Sequence, residues 1–407
     1  MNIWRSGRSK MAGVNKRRFK LKVEAENLKG FSELPLPEFA SQNPQLPVRE
    51  KPLITVVIPV LDGGALFEQC LRALAASTYR DFDCLVVDDG SRDGSGELAA
   101  RFGATVLKSG GRAFGPAKAR NVAARQARGK WLFFIDADVV AHPDTLEKAA
   151  FIIQNYSCQA FFGSYDLQPG QQSFLSQYRN LFHHYTHQQA HPEASTFWSG
   201  CGGINREVFL GVGGFSESYP RPSIEDIELG YRLRSAGYSI RLDKELLVTH
   251  LKPWRFKGML RTDIRDRAIP WTRLILRDRK LPNDLNVNMV NRLSILAVGL
   301  MLLALLGTPW FLWSGLVALG MSGLLVALNW PVYRFFARER NLLFAARVIP
   351  FHWFYYFYSG LSFGLGLTFY LLVDRPKKYT APVPGLASSF NSDHSEAGNV
   401  MQEVIPK

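Results

Sequence analysis

Acidic residues follow apolar runs at several points in the chain, at spacings that could support metal and phosphate chemistry. Asp88 and Asp89 end one run, Asp136 and Asp138 end another, and Asp62 lies just after the first. Two carboxylates as close as Asp136 and Asp138 repel each other, and a hard divalent cation with oxygen ligands relieves that repulsion. The spacing therefore favours a site for Mg²⁺ or Mn²⁺ that also bridges substrate phosphates, whereas Asp62 is as consistent with an ordinary turn.

The elements that must position these acids alternate between strands and helices from Leu53 to His250. Short, wholly apolar runs are typical of strands buried on both faces. The predicted strands cover residues 53–60, 82–87, 104–107, 131–135, 158–163 and 245–250. The predicted helices cover residues 66–74, 94–102, 116–127, 143–155 and 227–236. This alternation predicts an α/β fold with a doubly wound, mostly parallel sheet, in which ligands bind beyond the carboxyl ends of the strands.

Several short motifs occur in a fixed order within this region. They are Val57-Ile58-Pro59, Val86-Val87-Asp88-Asp89-Gly90-Ser91, Ala119-Arg120-Asn121, Asp136-Ala137-Asp138, Gly200-Cys201-Gly202-Gly203 and Glu225-Asp226. With this order and spacing, residues 53 to about 255 resemble the family 2 glycosyltransferases, inverting enzymes of the GT-A fold. The resemblance implies a GT-A domain of the nucleotide-diphospho-sugar transferase type, with a divalent metal as cofactor.

The resemblance also implies roles for individual residues. Asp226 matches the catalytic base that deprotonates the acceptor hydroxyl, with Glu225 beside it, and the implied metal ligands are Asp136, Asp138 and His250. The implied donor-binding residues are Pro59, Val60, Asp62, Asp88, Asp89, Lys118, Arg120, Asn121, Asp136, Ala137 and Asp138. The implied residues around the donor sugar and the acceptor are Trp198, Gly200, Gly202 and Gly203.

Many of these residues also have a plainer structural explanation. Acids in the first turn of a helix, such as Glu225 and Asp226, stabilise the helix by capping and through its dipole. Lys118 and Arg120 could be ordinary charges beside a flexible loop. Trp198 could belong to the core, and His250 could be a polar residue at the end of a strand.

Histidine and cysteine give no further metal signal. His183, His184, His187 and His191 lie in a polar segment with Tyr, Gln and Asn, where we expect a surface helix and loop. The four cysteines have no zinc-binding spacing and are too few for a disulfide scaffold in 407 residues. We therefore expect a reduced, cytoplasmic compartment and no reactive role for Cys201.

Two long uncharged segments follow the α/β region. The first, from Leu293 to Leu328, has 36 residues and the second, from Val348 to Val373, has 26. A membrane span needs about 20 apolar residues, and Gly307-Thr308-Pro309 is a turn signal within the first segment. We predict transmembrane helices at about 291–307, 309–328 and 350–373, with two spans as the alternative to three.

The formal net charge is +14, and 47% of the residues are hydrophobic. Together these values exclude a disordered or a collagen-like chain. The placement of the charge along the chain is also informative. Residues 1–51 carry a net charge of +6 and residues 252–280 a net charge of +7. The latter interleave cations with large apolar residues, as do amphipathic helices in the headgroup layer. The predicted organisation is a basic tail (1–51), a GT-A catalytic domain (52–254), interface helices (255–290), transmembrane helices (291–373) and a disordered tail (374–407).

These features favour one function over two alternatives. We expect a membrane-anchored, metal-dependent hexosyltransferase that moves a sugar from a nucleotide-diphosphate sugar to a lipid-linked or membrane-proximal acceptor. The basic residues beside the spans place the catalytic domain on the cytoplasmic side of the inner membrane, against anionic lipids, and no nucleic-acid partner is expected. The alternatives are a processive polysaccharide synthase and a non-catalytic nucleotide-sugar-binding scaffold. The resemblance implies a Gln-x-x-Arg-Trp motif in members of the family that build long chains. Residues 267–271, the nearest match, lack the Gln and the adjacent Arg-Trp, which disfavours the synthase.

Overall fold

The computed structural model describes residues 45–110, 113–279 and 285–373. All of them belong to one compact unit of the chain, which begins at Pro44. Both predicted tails, apart from residues 45–51, lie outside the described residues. Gly111 and Arg112 also lie outside them; they belong to the glycine-rich segment of residues 110–115, which we call the glycine-rich loop.

The strands of the described residues form one eight-stranded sheet. They are β1 (Ile54–Val60), β2 (Phe82–Asp88), β3 (Thr105–Lys108), β4 (Trp131–Ile135), β5 (Val139–Ala141), β6 (Ala160–Tyr165), β7 (Cys201–Asn205) and β8 (Ile240–His250). Their order is β3-β2-β1-β4-β7-β6-β8-β5. The pairs β1–β2, β1–β4, β2–β3 and β6–β8 are parallel, whereas β7 is antiparallel to β4 and β6, and β5 is antiparallel to β8.

Seven helices accompany the sheet in the described part of the chain. They are α1 (Gly64–Ala75), α2 (Ser95–Arg101), α3 (Pro116–Gln126), α4 (Thr145–Asn155), α5 (Phe174–Gln189), α6 (Arg206–Gly211) and α7 (Glu225–Ser235). The residues of β1 alternate between two cores: Val56 and Ile58 pack with residues of α1 and α4, whereas Val57 packs with residues of α3 and α7. The predicted α/β class is therefore confirmed.

The predicted boundaries of β1 to β4 agree with the structure to within one or two residues. The sequence pattern did not predict β5 and β7. Strand β5 has only three residues, and β7 contains Gly202 and Gly203 in place of an apolar run.

A helical region follows the sheet, also as predicted. Helices α8 (Phe256–Arg261) and α9 (Ile269–Asp278) flank a π-helical segment, Thr262–Ala268. A 3₁₀ turn (Leu285–Val287) then leads into α10 (Met289–Gly307), α11 (Trp313–Leu328), α12 (Trp330–Glu339) and α13 (Leu342–Leu372). The break after Gly307 coincides with the predicted turn, but α12 was not predicted, and α13 begins well before residue 350 and continues through Pro350.

The membrane prediction is only partly supported by these helices. Among the described residues, one helix is long and apolar enough to cross a membrane, Met289–Gly307. A second candidate is the helix pair Trp313–Leu328 and Trp330–Glu339, which is bent by 58°, if the pair forms one span. Helix α13 is not a candidate on this criterion. The arrangement of three spans therefore remains a prediction.

Helix α5 packs against both parts of the molecule. Its Tyr178 and Leu181 share an apolar cluster with Phe336 of α12 and Val348 of α13. Its opposite face contacts β6 through His187, whose Nδ1 lies 3.0 Å from the carbonyl oxygen of Gly163. The sheet and the C-terminal helices are thus joined through this helix.

Candidate active site

The carboxyl ends of the parallel strands β1, β2 and β4 lie at one edge of the sheet. The register pairs Val60 with Asp88, so the loops after β1 and β2 leave the sheet at the same level. We call Asp62, Asp88 and Asp89 the loop acids, and Asp136, Asp138, Glu225 and Asp226 the cleft acids. The two groups differ in what their carboxylates bind.

Backbone N–H groups bind the carboxylates of the loop acids. Oδ1 of Asp62 accepts from the N–H of Arg92 at 2.7 Å, and Oδ1 of Asp88 accepts from the N–H of Ser91 at 2.8 Å. Asp89 accepts from Phe114 at 2.6 Å and from Gly115 at 2.8 Å, one bond to each oxygen. These acids shape the loops beside the end of β1, where Pro59 and Val60 lie, and their contact with the donor remains a prediction.

Arg120 lies between two cleft acids. Its Nη2 is 2.6 Å from Oδ1 of Asp136 and its Nη1 is 3.5 Å from Oε1 of Glu225, and the guanidinium is 4% exposed. The resemblance implied that this side chain binds the donor, but it is buried and already paired. In this arrangement Arg120 holds the loop after β4 and the start of α7 together.

Two other residues near the glycine-rich loop also have structural contacts. Asn121 donates from Nδ2 to the carbonyl oxygen of Phe215 and accepts from its N–H, both at 2.8 Å. The ammonium of Lys118 lies 4.4 Å from the centre of the Phe114 ring. Asn121 is therefore a backbone anchor here, whereas Lys118 is partly exposed and its donor contact remains a prediction.

Asp138 and His250 form the second half of the cleft. Strands β5 and β8 pair Val139 with His250, which places His250 Nε2 3.7 Å from Oδ2 of Asp138. The Lys252 ammonium lies 4.0 Å from the same oxygen. Burial acts to raise the pKa of the Asp138 carboxyl, but a protonated His250 and then Lys252 lower it overall.

The His250 ring has a defined hydrogen-bond partner on its other side. Its Nδ1 lies 2.8 Å from Oδ1 of Asn180 on α5, and the ring stacks on Tyr165 with 4.5 Å between ring centres. Because a side-chain carbonyl oxygen only accepts, Nδ1 carries a proton, and in the neutral ring the lone pair is therefore on Nε2, on the side of Asp138. This donor set suits a divalent cation with a nitrogen and an oxygen ligand.

Among the described residues no group of three His, Cys, Asp or Glu side chains could hold a metal ion. Asp138 and His250 would supply two ligands, and the carboxylate of Asp136, predicted as a further ligand, is engaged by Arg120. A cation at this position would complete its shell with substrate phosphate and water, as Mg²⁺ commonly does.

Glu225 and Asp226 open α7, as predicted. Asp226 accepts from the N–H of Ser199 at 3.2 Å and from the N–H of Ile227 at 2.8 Å. Burial, followed by the charge of Asp226 and against that of Arg120, raises the pKa of Glu225 to about 7, and burial raises the pKa of Asp226. Carboxyls shifted in this direction in a cleft are typical of acid–base sites.

The segment around Trp198 proves to be tightly packed. A Cβ atom on Gly200 would lie 2.6 Å from the Trp198 ring, and one on Gly203 would lie 2.2 Å from the Phe161 ring. A Cβ on Gly202 would meet the Trp198 carbonyl oxygen at 2.4 Å. The glycines therefore admit neighbouring groups of the protein, and their contact with sugar or acceptor stays a prediction. Cys201 is buried, and burial raises its thiol pKa.

The prediction of a surface segment at the histidines is wrong for the helical part. His184 and His187 are buried and bind the carbonyl oxygens of Tyr165 and Gly163 through Nδ1. His183 and His187 also pack against Trp198, with ring centres 4.7 and 5.6 Å away. Burial lowers the pKa of His187 to about 4, so it is neutral near pH 7.

Sequence reasoning missed three side chains at the cleft. Asn180 lies in the polar helix α5 and gave no signal. Lys252 follows His250 by two residues, a spacing that could have drawn attention to it. Arg267 lies in the π-helical segment, and its charge acts to lower the pKa of Asp226.

The sequence of the α/β region matches a known family. The model of glycosyl transferase family 2 matches residues 55–212. This chain carries a family 2 glycosyltransferase domain. Its sheet is mixed, with parallel pairs in the majority, which agrees with the predicted mostly parallel sheet.

Curated relatives align with part of this domain. Glycosyltransferase GlyG from Streptococcus pneumoniae is 28% identical over 118 residues, which is 28% of this chain and 39% of that protein. Glycosyltransferase AglE from Haloferax volcanii is 32% identical over 108 residues, 25% of this chain and 36% of that protein. The chain thus spans well under half the length of these relatives.

Solved structures similar to this chain include a mannosyltransferase and TarS. The mannosyltransferase PcManGT from Pyrobaculum calidifontis, in complex with GDP-Man and Mn²⁺, is 18% identical, with 84% of this chain and 92% of that chain covered and a TM-score of 0.49. TarS from S. aureus in complex with UDP-GlcNAc is 19% identical, with 55% and 65% covered and a TM-score of 0.42.

Proposed function

We propose that this protein is a membrane-anchored, inverting, metal-dependent glycosyltransferase. It moves a sugar, of hexosyl type, from a nucleotide-diphosphate sugar to a lipid-linked or membrane-proximal acceptor. The observation that carries the proposal is a division of labour in the cleft. One part holds a carboxyl pair with raised pKa values, and the other holds a carboxylate beside a histidine with a free lone pair.

The donor end of the reaction belongs to Asp138, His250 and Lys252. Asp138 and His250 hold the divalent cation, Mg²⁺ or Mn²⁺. When bound, that cation supplies positive charge for the leaving diphosphate. Lys252 is half exposed next to Asp138 and adds a second cation that a phosphate oxygen can reach. It takes the place that the sequence assigned to Arg120, which is engaged by Asp136 and Glu225.

The acceptor end belongs to Asp226. The acceptor oxygen forms the new bond to the anomeric carbon, the bond from that carbon to the diphosphate breaks, and the hydroxyl proton passes to the Asp226 carboxylate. The N–H groups of Ser199 and Ile227 fix the orientation of that carboxylate. A pKa above the usual range makes it a stronger base than a solvated aspartate.

The membrane end of the proposal rests on exposed apolar side chains. Leu306 of α10 is 69% exposed, Trp310 is 76% exposed and Leu316 of α11 is 72% exposed. Large exposed apolar side chains of this kind mark a contact with a membrane or with another protein. The interface segment touches the catalytic loop directly, since the hydroxyl of Ser223 donates to the carbonyl oxygen of Asp266. An acceptor carried by the membrane would therefore enter beside Asp226, with the catalytic domain on the cytoplasmic face.

Replacing Asp226 by Asn tests the proposal. We expect sugar transfer to fall by about 10²- to 10⁴-fold, the usual contribution of a general base. Thermal stabilisation by a nucleotide diphosphate with Mn²⁺ should be retained, because the donor end is unchanged. The matched control is Asp81→Asn, since Asp81 is exposed and lies before β2, at the opposite end of that strand from the cleft.

Three outcomes would count against parts of the proposal. Full activity of Asp226→Asn would remove Asp226 as the base. Binding of donor by the wild-type protein without transfer or hydrolysis would favour the non-catalytic scaffold. Long polymeric products on incubation with donor would favour the polysaccharide synthase.

A further inference from the structure

Asn180 of helix α5 contacts His250 and was not among the predicted site residues. Asn180 is 1% exposed, and its Oδ1 lies 2.8 Å from Nδ1 of His250. Its Nδ2 donates to the carbonyl oxygen of Ser176, one helical turn earlier, at 3.1 Å. Both ends of the amide are therefore committed.

The second bond fixes the orientation of the amide. If the amide were flipped, its oxygen would face the Ser176 carbonyl oxygen, an acceptor against an acceptor, so the Nδ2 group belongs there. Oδ1 must then face His250, and it can only accept. His250 consequently carries its proton on Nδ1.

The opposite nitrogen of the same ring faces the carboxylate of Asp138. The distance from Nε2 to Oδ2 is 3.7 Å, longer than a hydrogen bond. In the neutral ring Nε2 has no proton, so this nitrogen and the carboxylate direct two lone pairs at one region. Neighbouring ligand atoms around Mg²⁺ lie about 3 Å apart, so a small adjustment would bring both to one cation.

We propose that Asn180 is a positioning residue, which fixes His250 in the Nδ1–H tautomer so that Nε2 can bind the divalent cation next to Asp138. The inference rests on the cation site of the proposed function. Tyr165 supports the same ring orientation by stacking on His250 at an angle of 7° between the ring planes. Ring orientation thus comes from Tyr165 and the tautomer from Asn180.

Two substitutions separate the acceptor from the rest of the side chain. Asn180→Asp keeps an oxygen facing His250, whereas Asn180→Leu has a similar volume and no acceptor. Asn155→Leu is the matched control, because Asn155 also donates from Nδ2 to the carbonyl oxygen one turn earlier, at 2.8 Å, but lies exposed on α4. Asn180→Ala serves if the leucine variant does not fold.

The first measurement is the affinity of the full-length, detergent-solubilised protein for Mn²⁺ alone, by electron paramagnetic resonance. Loss of an outer partner of a metal-bound histidine typically weakens metal binding by about 10- to 100-fold. We expect that loss in Asn180→Leu, near-wild-type affinity in Asn180→Asp and no change in Asn155→Leu. Equal affinity in Asn180→Leu and wild type would overturn the proposal.

The second measurement is the tautomer of His250, from long-range ¹H–¹⁵N spectra of histidine-labelled protein, with the signal assigned through His250→Gln. We expect the Nδ1–H tautomer in the wild type and its loss in Asn180→Leu; an Nε2–H tautomer in the wild type would overturn the proposal.

Asp138→Asn distinguishes this proposal from the proposed function. If Asp138→Asn loses Mn²⁺ binding while Asn180→Leu keeps both affinity and tautomer, the role of Asn180 is wrong and the cation site stands. If Asp138→Asn binds Mn²⁺ like the wild type, the cation site fails, and with it the ligand role of His250.

Discussion

The loop acids all bind backbone N–H groups, whereas the partners of the cleft acids differ from one acid to the next. Asp62, Asp88 and Asp89 accept from backbone N–H groups of neighbouring loops. Asp136 and Glu225 are instead paired with Arg120, and Asp138 lies beside His250. Asp226 also accepts from backbone N–H groups, but it is buried and its pKa is raised. Bonds to backbone thus build the loops, whereas burial and charged neighbours set the chemistry of the cleft acids.

The largest expected difference between the two groups concerns the cation. Asp138→Asn should lower metal-dependent sugar transfer by about 100-fold or more, because a neutral amide is a weaker ligand than a carboxylate. The melting temperature should change little, since the described contacts of the Asp138 carboxylate are with the side chains of His250 and Lys252 and with its own backbone N–H, not with the backbone of another element. Transfer assays over a range of Mn²⁺ concentrations would measure the effect. A normal response to Mn²⁺ in this variant would remove the distinction between the two groups.

A loop acid should show the opposite pattern. Asp88→Ala leaves the partly buried N–H of Ser91 without its acceptor, which costs about 1 kcal/mol of stability. The variant should melt at a lower temperature while each folded molecule keeps most of its transfer activity. Thermal unfolding and specific activity, measured on the same sample, test this. Loss of activity without loss of stability would assign Asp88 to the donor site.

The pH dependence of transfer should report the raised pKa values of the cleft acids. Asp226 must be ionised to act as a base, so kcat/KM should rise with pH and reach half its maximum above about 4, the usual pKa of Asp. In Glu225→Gln the carboxyl with a pKa of about 7 is gone, so any step in the profile near that pH should disappear. A step near pH 7 that persists in this variant would belong to a group other than Glu225.

The smallest effect is expected at Asp62. This residue has φ of 51°, a conformation that Asn also tolerates, and its side chain is exposed. Asp62→Asn should keep the stability within about 0.5 kcal/mol and the KM for the donor within a few-fold, as for other surface changes. A large rise in the donor KM would instead move Asp62 into the group of acids that bind substrate.

The sequence predicted the first four strands well because each is a short apolar run whose residues pack on both faces of the sheet. It also predicted that Asp62, Asp88, Asp89, Asp136 and Asp138 are at or just after the ends of strands, while their convergence on one donor site remains a prediction. The ion pair between Arg120 and Glu225 could not be predicted, because the two residues are 105 positions apart in the sequence. Burial of α5 was missed because its histidines and amides are polar, and their backbone partners, such as Tyr165 and Gly163, are visible only in the folded chain.

Helix α5 has a consequence for work with shortened forms of this protein. Arg179 of this helix pairs with Asp263 of the π-helical segment at 2.5 Å, and Tyr178 lies among residues of α12 and α13. A fragment ending near residue 255 would lack Asp263 and uncover Tyr178, immediately next to Asn180. Such a fragment would lose the clamp on the helix that orients His250, so an inactive soluble domain would say little about the intact enzyme. Detergent or nanodisc preparations of the whole chain are the proper material for biochemistry.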